Sequence, residues 1–202
     1  MKKIFNKDNY PKVLLVLFFI IWLGLAINPF YRNVWIAENI LTVFFIGLLI
    51  LTYNKFRFSN LSYTLLFLFM ILHTIGGHYS YTEMPLFDSI KDEFNLERNH
   101  YDRVAHFLFG LIFFVPLYEL VAKKFKIQGH WGFLFVFLII SSLKGIFEVL
   151  EYGYILVTEN EIININYLGM QGDLWDAQKD IFLGMMGSII SWFFMGLKRK
   201  SM

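Results

Sequence analysis

The chain alternates long apolar runs with short polar breaks. Six runs fall at 13–27, 34–53, 61–77, 104–122, 131–152 and 178–197. Each approaches the roughly 20 residues that a helix needs to cross the apolar layer of a bilayer. The first is short and is stopped by Asn28-Pro29, because proline does not continue a helix. The third is expected to break at Gly76-Gly77, and Pro116 predicts a kink inside the fourth. The expected fold class is all-α, a polytopic membrane helix bundle with six transmembrane helices forming one integral membrane domain over 1–202.

The polar breaks orient this bundle. Lys2, Lys3, Lys7 and Lys12 precede the first run, and Lys55 and Arg57 follow the second. Lys123, Lys124 and Lys126 follow the fourth, and Lys198, Arg199 and Lys200 follow the sixth. With six crossings all of these lie on one face, and short loops rich in Lys and Arg stay in the cytoplasm. Both termini are therefore expected to be cytoplasmic. Two longer segments, 78–101 and 153–179, then face outward. Phe87 to Phe94 and Thr158 to Ile165 are each expected to hold a short amphipathic piece on the membrane surface.

Composition agrees. Apolar residues make up 57% of the chain and the mean hydropathy is +0.53, where a soluble domain has about 45–50% apolar residues. The absence of cysteine excludes disulfides, thiolate ligands and a cysteine nucleophile. The basic start resembles a signal peptide, but Ile27-Asn28-Pro29 offers no small-residue cleavage site, so the first run is expected to be retained. No nucleotide-binding loop, Ser-His-Asp order or His-Glu-x2-His motif occurs, and nothing suggests nucleic acid.

The candidate chemistry lies at the outer ends of the later runs. His73 ends the third run, with His78 just beyond it, and Asp102 and His106 open the fourth one helical turn apart. Lys144, Glu148 and Glu151 line one face near the end of the fifth. Asp173, Asp176 and Asp180 open the sixth at a spacing that on a helix puts all three on one side. Runs one and two are expected to contribute almost nothing. Singly, each residue has an ordinary explanation: a helix cap for Asp102, a core histidine for His73, an ion pair for Lys144 with Glu148, and loop acids for Asp173 and Asp176. Together they place costly groups from four helices at one level, and ionisable residues inside a membrane mark function.

Gly184, Gly187 and Ser188 read as a helix-packing face, and Gly110 and Gly145 likewise. The stretches Arg98-Asn99-His100-Tyr101-Asp102-Arg103-Val104-Ala105-His106-Phe107, Phe147-Glu148-Val149-Leu150-Glu151-Tyr152 and Gln171-Gly172-Asp173-Leu174-Trp175-Asp176-Ala177-Gln178-Lys179-Asp180 resemble the YjdF-like family of small multi-pass bacterial inner-membrane proteins. More loosely, the Asp-x3-His-Phe helix start and the acidic last helix are similar to VanZ-like membrane proteins. The resemblance implies the topology and a bacterial cell-membrane location, and supplies no reaction.

The leading expectation is a metal-dependent membrane hydrolase or transferase acting on a lipid or lipid-linked headgroup. His73, His78, Asp102, His106 and Asp180 are the candidate ligands of a divalent metal, zinc first and manganese or magnesium next. Glu148, Glu151, Asp173 and Asp176 are the candidate catalytic carboxylates, and Lys144 and Arg103 the candidate substrate contacts. The alternatives are a cation- or proton-coupled transporter and a non-catalytic accessory membrane protein. Polar residues expected in the inner half (Asn39, Thr42, Ser141, Ser142 and Ser188) are few for a transport path.

Overall fold

The computed structural model describes residues 9–157 and 170–200. The expected surface piece Thr158 to Ile165, with Glu159 and Glu161, lies outside the described residues. Among those described there are seven helices and no strand: α1 (Tyr10–Leu25), α2 (Arg32–Thr52), α3 (Asn60–His78), α4 (Pro85–Glu93), α5 (Tyr101–Lys124), α6 (Gly129–Val157) and α7 (Asp176–Lys200).

Each of the six apolar runs is a helix, with ends within a few residues of those expected. α2, α3, α5 and α6 are long and apolar enough to cross a membrane. α1 has 16 residues, which at 1.5 Å per residue is about 24 Å, short of the roughly 30 Å of a bilayer core. α4 is the short surface helix expected near Phe87. Pro85 starts it, since its missing N–H falls where a helix has no partner to offer. Leu86 and Ile90, one turn apart, share its exposed apolar side, and Phe94 follows at its end.

The usual distribution of a soluble protein is inverted. Ile20, Phe44, Leu51 and Val149 are 55–80% exposed on the flanks, while Asn99, Lys144, Asp180 and Ser188 are buried. Two apolar clusters fill the end of the bundle away from those charges. Phe18, Ile46, Leu66, Phe69, Met70 and Phe113 join α1, α2, α3 and α5. Phe114, Val121, Val136 and Ile140 join α5 to α6, with Trp192 of α7 against them.

The closest helix pair is α5 with α7. A Cβ on Gly110 would collide with the Gly184 carbonyl oxygen, and one on Gly187 with the Phe107 carbonyl oxygen. The two backbones touch, as small residues permit in membranes. Gly184 also admits Lys144 of α6, whose Cγ lies 2.9 Å from where a Cβ would be. Gly145 does not follow this pattern, because its Cβ position meets nothing within 4 Å. Gly76-Gly77 does not break α3, which runs on to His78. These glycines make room instead: the Tyr81 ring fills the space at Gly76, and the Glu38 Cβ lies 3.3 Å from the Cβ position at Gly77. Pro116 sits inside α5, which continues past it to Lys124.

Overpacking a close contact costs about 1–3 kcal/mol, so Gly110→Ala and Gly187→Ala are expected to lower the melting temperature in detergent. Gly145→Ala has free space and gains helix propensity, and is expected to be neutral or slightly stabilising. Equal melting of all three variants would rule out backbone contact between α5 and α7.

Candidate functional site

The contact between α5 and α7 aligns the first turns of both helices, and α6 closes the third side. His106 is the centre. Its Nε2 lies 3.2 Å from Asp102 Oδ1, one turn earlier on α5. Its Nδ1 lies 3.6 Å from Glu148 Oε1 on α6 and 3.8 Å from Asp180 Oδ1 on α7. All four side chains are nearly buried. Lys144 Nζ sits 3.3 Å from His106 Nε2 and 3.5 Å from Glu148 Oε1. Glu151 is buried, within electrostatic reach of Glu148 and Asp102.

Three atoms here are buried and lack any hydrogen-bond partner: His106 Nδ1, Glu148 Oε1 and Asp180 Oδ1. Buried polar atoms are nearly always satisfied, so orphans need an explanation. His106 Nδ1 faces the other two, and Lys144 Nζ also lies 3.5 Å from Glu148 Oε1. Tetrahedral ligands at about 2.0–2.2 Å from zinc sit about 3.5 Å apart, close to the 3.6 and 3.8 Å seen here. Asp102, His106 and Asp180 also each offer an atom within 4.8 Å of the others.

A second buried group stands beside the first. Glu38, on α2, is 3% exposed and within electrostatic reach of Asp102 and Lys144. His73 Nε2 lies 3.3 Å from the Glu38 carbonyl oxygen and 3.8 Å from its Oε2, which has no hydrogen-bond partner. Its Nδ1 meets Tyr81 Oη at 2.5 Å. Burial pushes the Tyr81 phenol well above its ordinary value, so the phenol is a neutral donor and His73 Nδ1 accepts. Ser80 and Tyr81 hold left-handed backbone (φ 57° and 55°) to bring that ring back onto α3, a geometry uncommon for bulky residues.

One turn outward lies a latch. Arg98 pairs with Asp176, and Arg103 pairs with Asp173. Lys179 Nζ donates to Asp173 Oδ2 at 2.6 Å. The Gln171 side chain pairs both ways with the Asn99 backbone, at 2.8 and 2.9 Å. Asn99 Nδ2 in turn donates to Met84 O and Asp88 Oδ1, which ties in α4. Together these groups frame a cavity of about 380 Å³ lined by Arg98, His100, Arg103, Gln171, Asp173 and Lys179. Burial and the neighbouring arginines hold the His100 imidazole below its usual value. The Lys179 hydrogen bond, helped by the Trp175 amide, holds Asp173 down at about 2.

The structure therefore gathers Asp102, His106, Lys144, Glu148, Glu151 and Asp180 from the expected set. Asp173, Asp176 and Arg103 are paired one turn further out. Asp173 lies in the turn before α7, so the three acids do not form one helical row. Asp102 makes no cap, since α5 begins after His100 with no side-chain cap. His73 belongs to the second group. His78 stays outside both, its Nδ1 2.8 Å from Leu25 O and its ring against Phe30 and Tyr79. Glu38 corrects the expectation that the first two helices contribute almost nothing. An ionisable residue in an apolar run was the signal for it. Asn39 and Thr42 likewise lie in the first half of α2, at the end where Glu38 meets His73.

The latch carries a pH prediction. Asp173 is deprotonated more easily in the fold (about 2) than its ordinary 3.8. Its stabilisation is full above about pH 4 and is lost as pH falls through about 2. Pepsin cleavage at the exposed Leu174-Trp175 step, normalised to an unstructured peptide, is expected to rise between pH 4 and pH 2. In Asp173→Asn it is expected to be high at both. Equal protection in both proteins would show that Asp173 does not hold the turn.

Residues 10–201 match the family described as Predicted membrane protein (DUF2238). The chain is also similar to a protein named Inner membrane protein YjdF from Escherichia coli (strain K12), at 26% identity over 177 residues, covering 87% of this chain and 83% of that protein. No solved structure matches. The family match runs from the first residue of α1 to past the end of α7, and takes in the whole polar cluster, both histidine groups and the latch: the chain belongs to the DUF2238 family of predicted membrane proteins.

Proposed function

We propose that this multi-pass membrane protein crosses the bilayer six times, through α1, α2, α3, α5, α6 and α7, with both termini cytoplasmic. Lys12, Lys55, Arg57, Lys123 and Lys124 cluster at the ends of α1, α2 and α5 opposite the polar groups, as the preference for positive loops inside requires. The named location of the Escherichia coli relative supports the inner membrane. Reporter fusions after Arg57 and after Lys126 are expected to read as cytoplasmic, and a fusion after Glu93 as external. A cytoplasmic reading after Glu93 would overturn this topology.

At the outer end we propose a divalent-metal site serving a hydrolase or transferase that acts on a lipid or lipid-linked headgroup. The observation that carries this reading is the buried trio Asp102, His106 and Asp180, each offering an atom within 4.8 Å of the others, with His106 Nδ1 and Asp180 Oδ1 lacking hydrogen-bond partners. His106 and Asp180 would hold the ion with Glu148 or Asp102, and zinc suits a mixed imidazole and carboxylate set. Such an ion lowers the pKa of a bound water to about 7. With Asp102 among the ligands, Glu148 would be the proton acceptor, with buried Glu151 near it, and Lys144 would offset negative charge developing on substrate. The cavity above the cluster, with Leu174, Trp175 and Phe94 exposed nearby, supports a substrate at headgroup depth, where tryptophan concentrates.

One observation favours the other reading. The Lys144 ammonium already touches His106 and Glu148, and so can neutralise the acids with no metal. That suits a cation- or proton-coupled transporter, or an accessory protein whose cluster only joins helices. Elemental analysis of purified protein separates these. About one equivalent of zinc or manganese is expected in the wild type, lost in His106→Ala and kept in Glu151→Gln, with all three proteins folded. Folded wild type free of metal, before and after zinc addition, would sink the enzyme reading. Ion flux in liposomes, abolished by Lys144→Gln, would then favour transport.

A further inference from the structure

At the end of the bundle far from the acids, α1 and α2 both lie on α3 but barely touch each other. Two pins hold them apart at one end and together at the other. Tyr10 Oη meets Thr64 Oγ1 at 2.6 Å, which fastens the start of α1 to α3. Trp22 Nε1 donates to Asn39 Oδ1 at 2.5 Å, and the Trp22 and Trp35 rings lie 5.7 Å apart, which fastens the end of α1 to α2. Between α1 and α2, on the Tyr10 side of the tryptophans, lies a crevice of about 240 Å³.

Leu15, Phe18, Ile46, Leu49, Leu66 and Met70 line the crevice, and among the described residues Lys12 is the one charged residue in its wall. From Lys12 to Phe18 it runs roughly 9 Å along α1. Arg57 stacks over the Tyr53 ring at 4.7 Å, at the same end. Lys55 is exposed beside it. The acid at this end, Glu119, is taken by Ser59, Ser62 and Lys123. The slot is thus apolar along its length and basic at its mouth.

We propose that this crevice holds one acyl chain of an anionic phospholipid, with the lipid phosphate over Lys12. An apolar slot that helix packing leaves open to the bilayer is filled by hydrocarbon, since only dispersion contacts are at stake there. Basic residues at the membrane surface select anionic headgroups. With the topology proposed above, the lipid belongs to the cytoplasmic leaflet. The site is separate from the acidic cluster and does not depend on any metal there.

The full chain, purified in detergent, would be titrated with phosphatidylglycerol and with phosphatidylcholine of the same acyl chains and followed by native mass spectrometry. Wild type is expected to retain phosphatidylglycerol at least several-fold better. Lys12→Gln, a change at an exposed residue, is expected to bind both lipids equally. Leu49→Trp and Leu15→Phe fill the slot from opposite walls, and whichever melts like wild type is expected to bind neither. Equal binding of the two lipids by wild type would overturn the proposal. So would an unchanged preference in Lys12→Gln, undiminished binding in a folded slot-filling variant, or a dimer in place of the lipid adduct.

Discussion

The contact that everything else depends on is glycine against backbone between α5 and α7. Gly110, Gly184 and Gly187 remove the side chains that would hold these helices an ordinary 8–10 Å apart. Only then can a histidine on α5 and an aspartate on α7 share one point with a glutamate from α6. The same glycine that brings α7 close to α5 also admits the Lys144 stem. Packing and chemistry are thus set by the same residues.

Burying so many ionisable groups has a price that must be met locally. Removing one partner of a buried charge pair costs about 3–5 kcal/mol, because the other is left uncompensated. The bundle deals with this in two layers. The outer layer is held by close ion pairs, Arg98, Arg103 and Lys179 against Asp173 and Asp176, although Arg103 Nε has no hydrogen-bond partner. The inner layer is joined at longer range, with His106 Nδ1 3.6 and 3.8 Å from Glu148 and Asp180 and Lys144 Nζ 3.5 Å from Glu148.

Much of this was legible in the chain itself. Long apolar runs located six helices, four of them long and apolar enough to cross a membrane, because in lipid the backbone must satisfy itself within the segment. The i,i+4 pairs Asp102 with His106 and Lys144 with Glu148 were readable because helical spacing fixes their side. Three things were not. Glu38 escaped because one acid in a 21-residue helix barely changes its hydropathy. His78 could be told from His73 only by the turn that sends Tyr81 back onto His73 while His78 faces Leu25 O. The role of Asp173 depended on where α7 begins, and helix ends are the least determined feature of a sequence reading.

Asp176 and Asp180 show how one helix face acquires two tasks. They are one turn apart on α7 and chemically identical, yet Asp176 meets Arg98 and Asp180 meets His106. Arg98 lies before α5 begins and His106 lies two turns into it, so depth along α5 decides which partner each acid finds. The guanidinium closes the level that faces the loops. The imidazole waits at the level that faces the membrane interior, where an unpaired carboxylate is least tolerable. A proton, the Lys144 ammonium or a metal must occupy that level, and the three differ in what they do to a substrate.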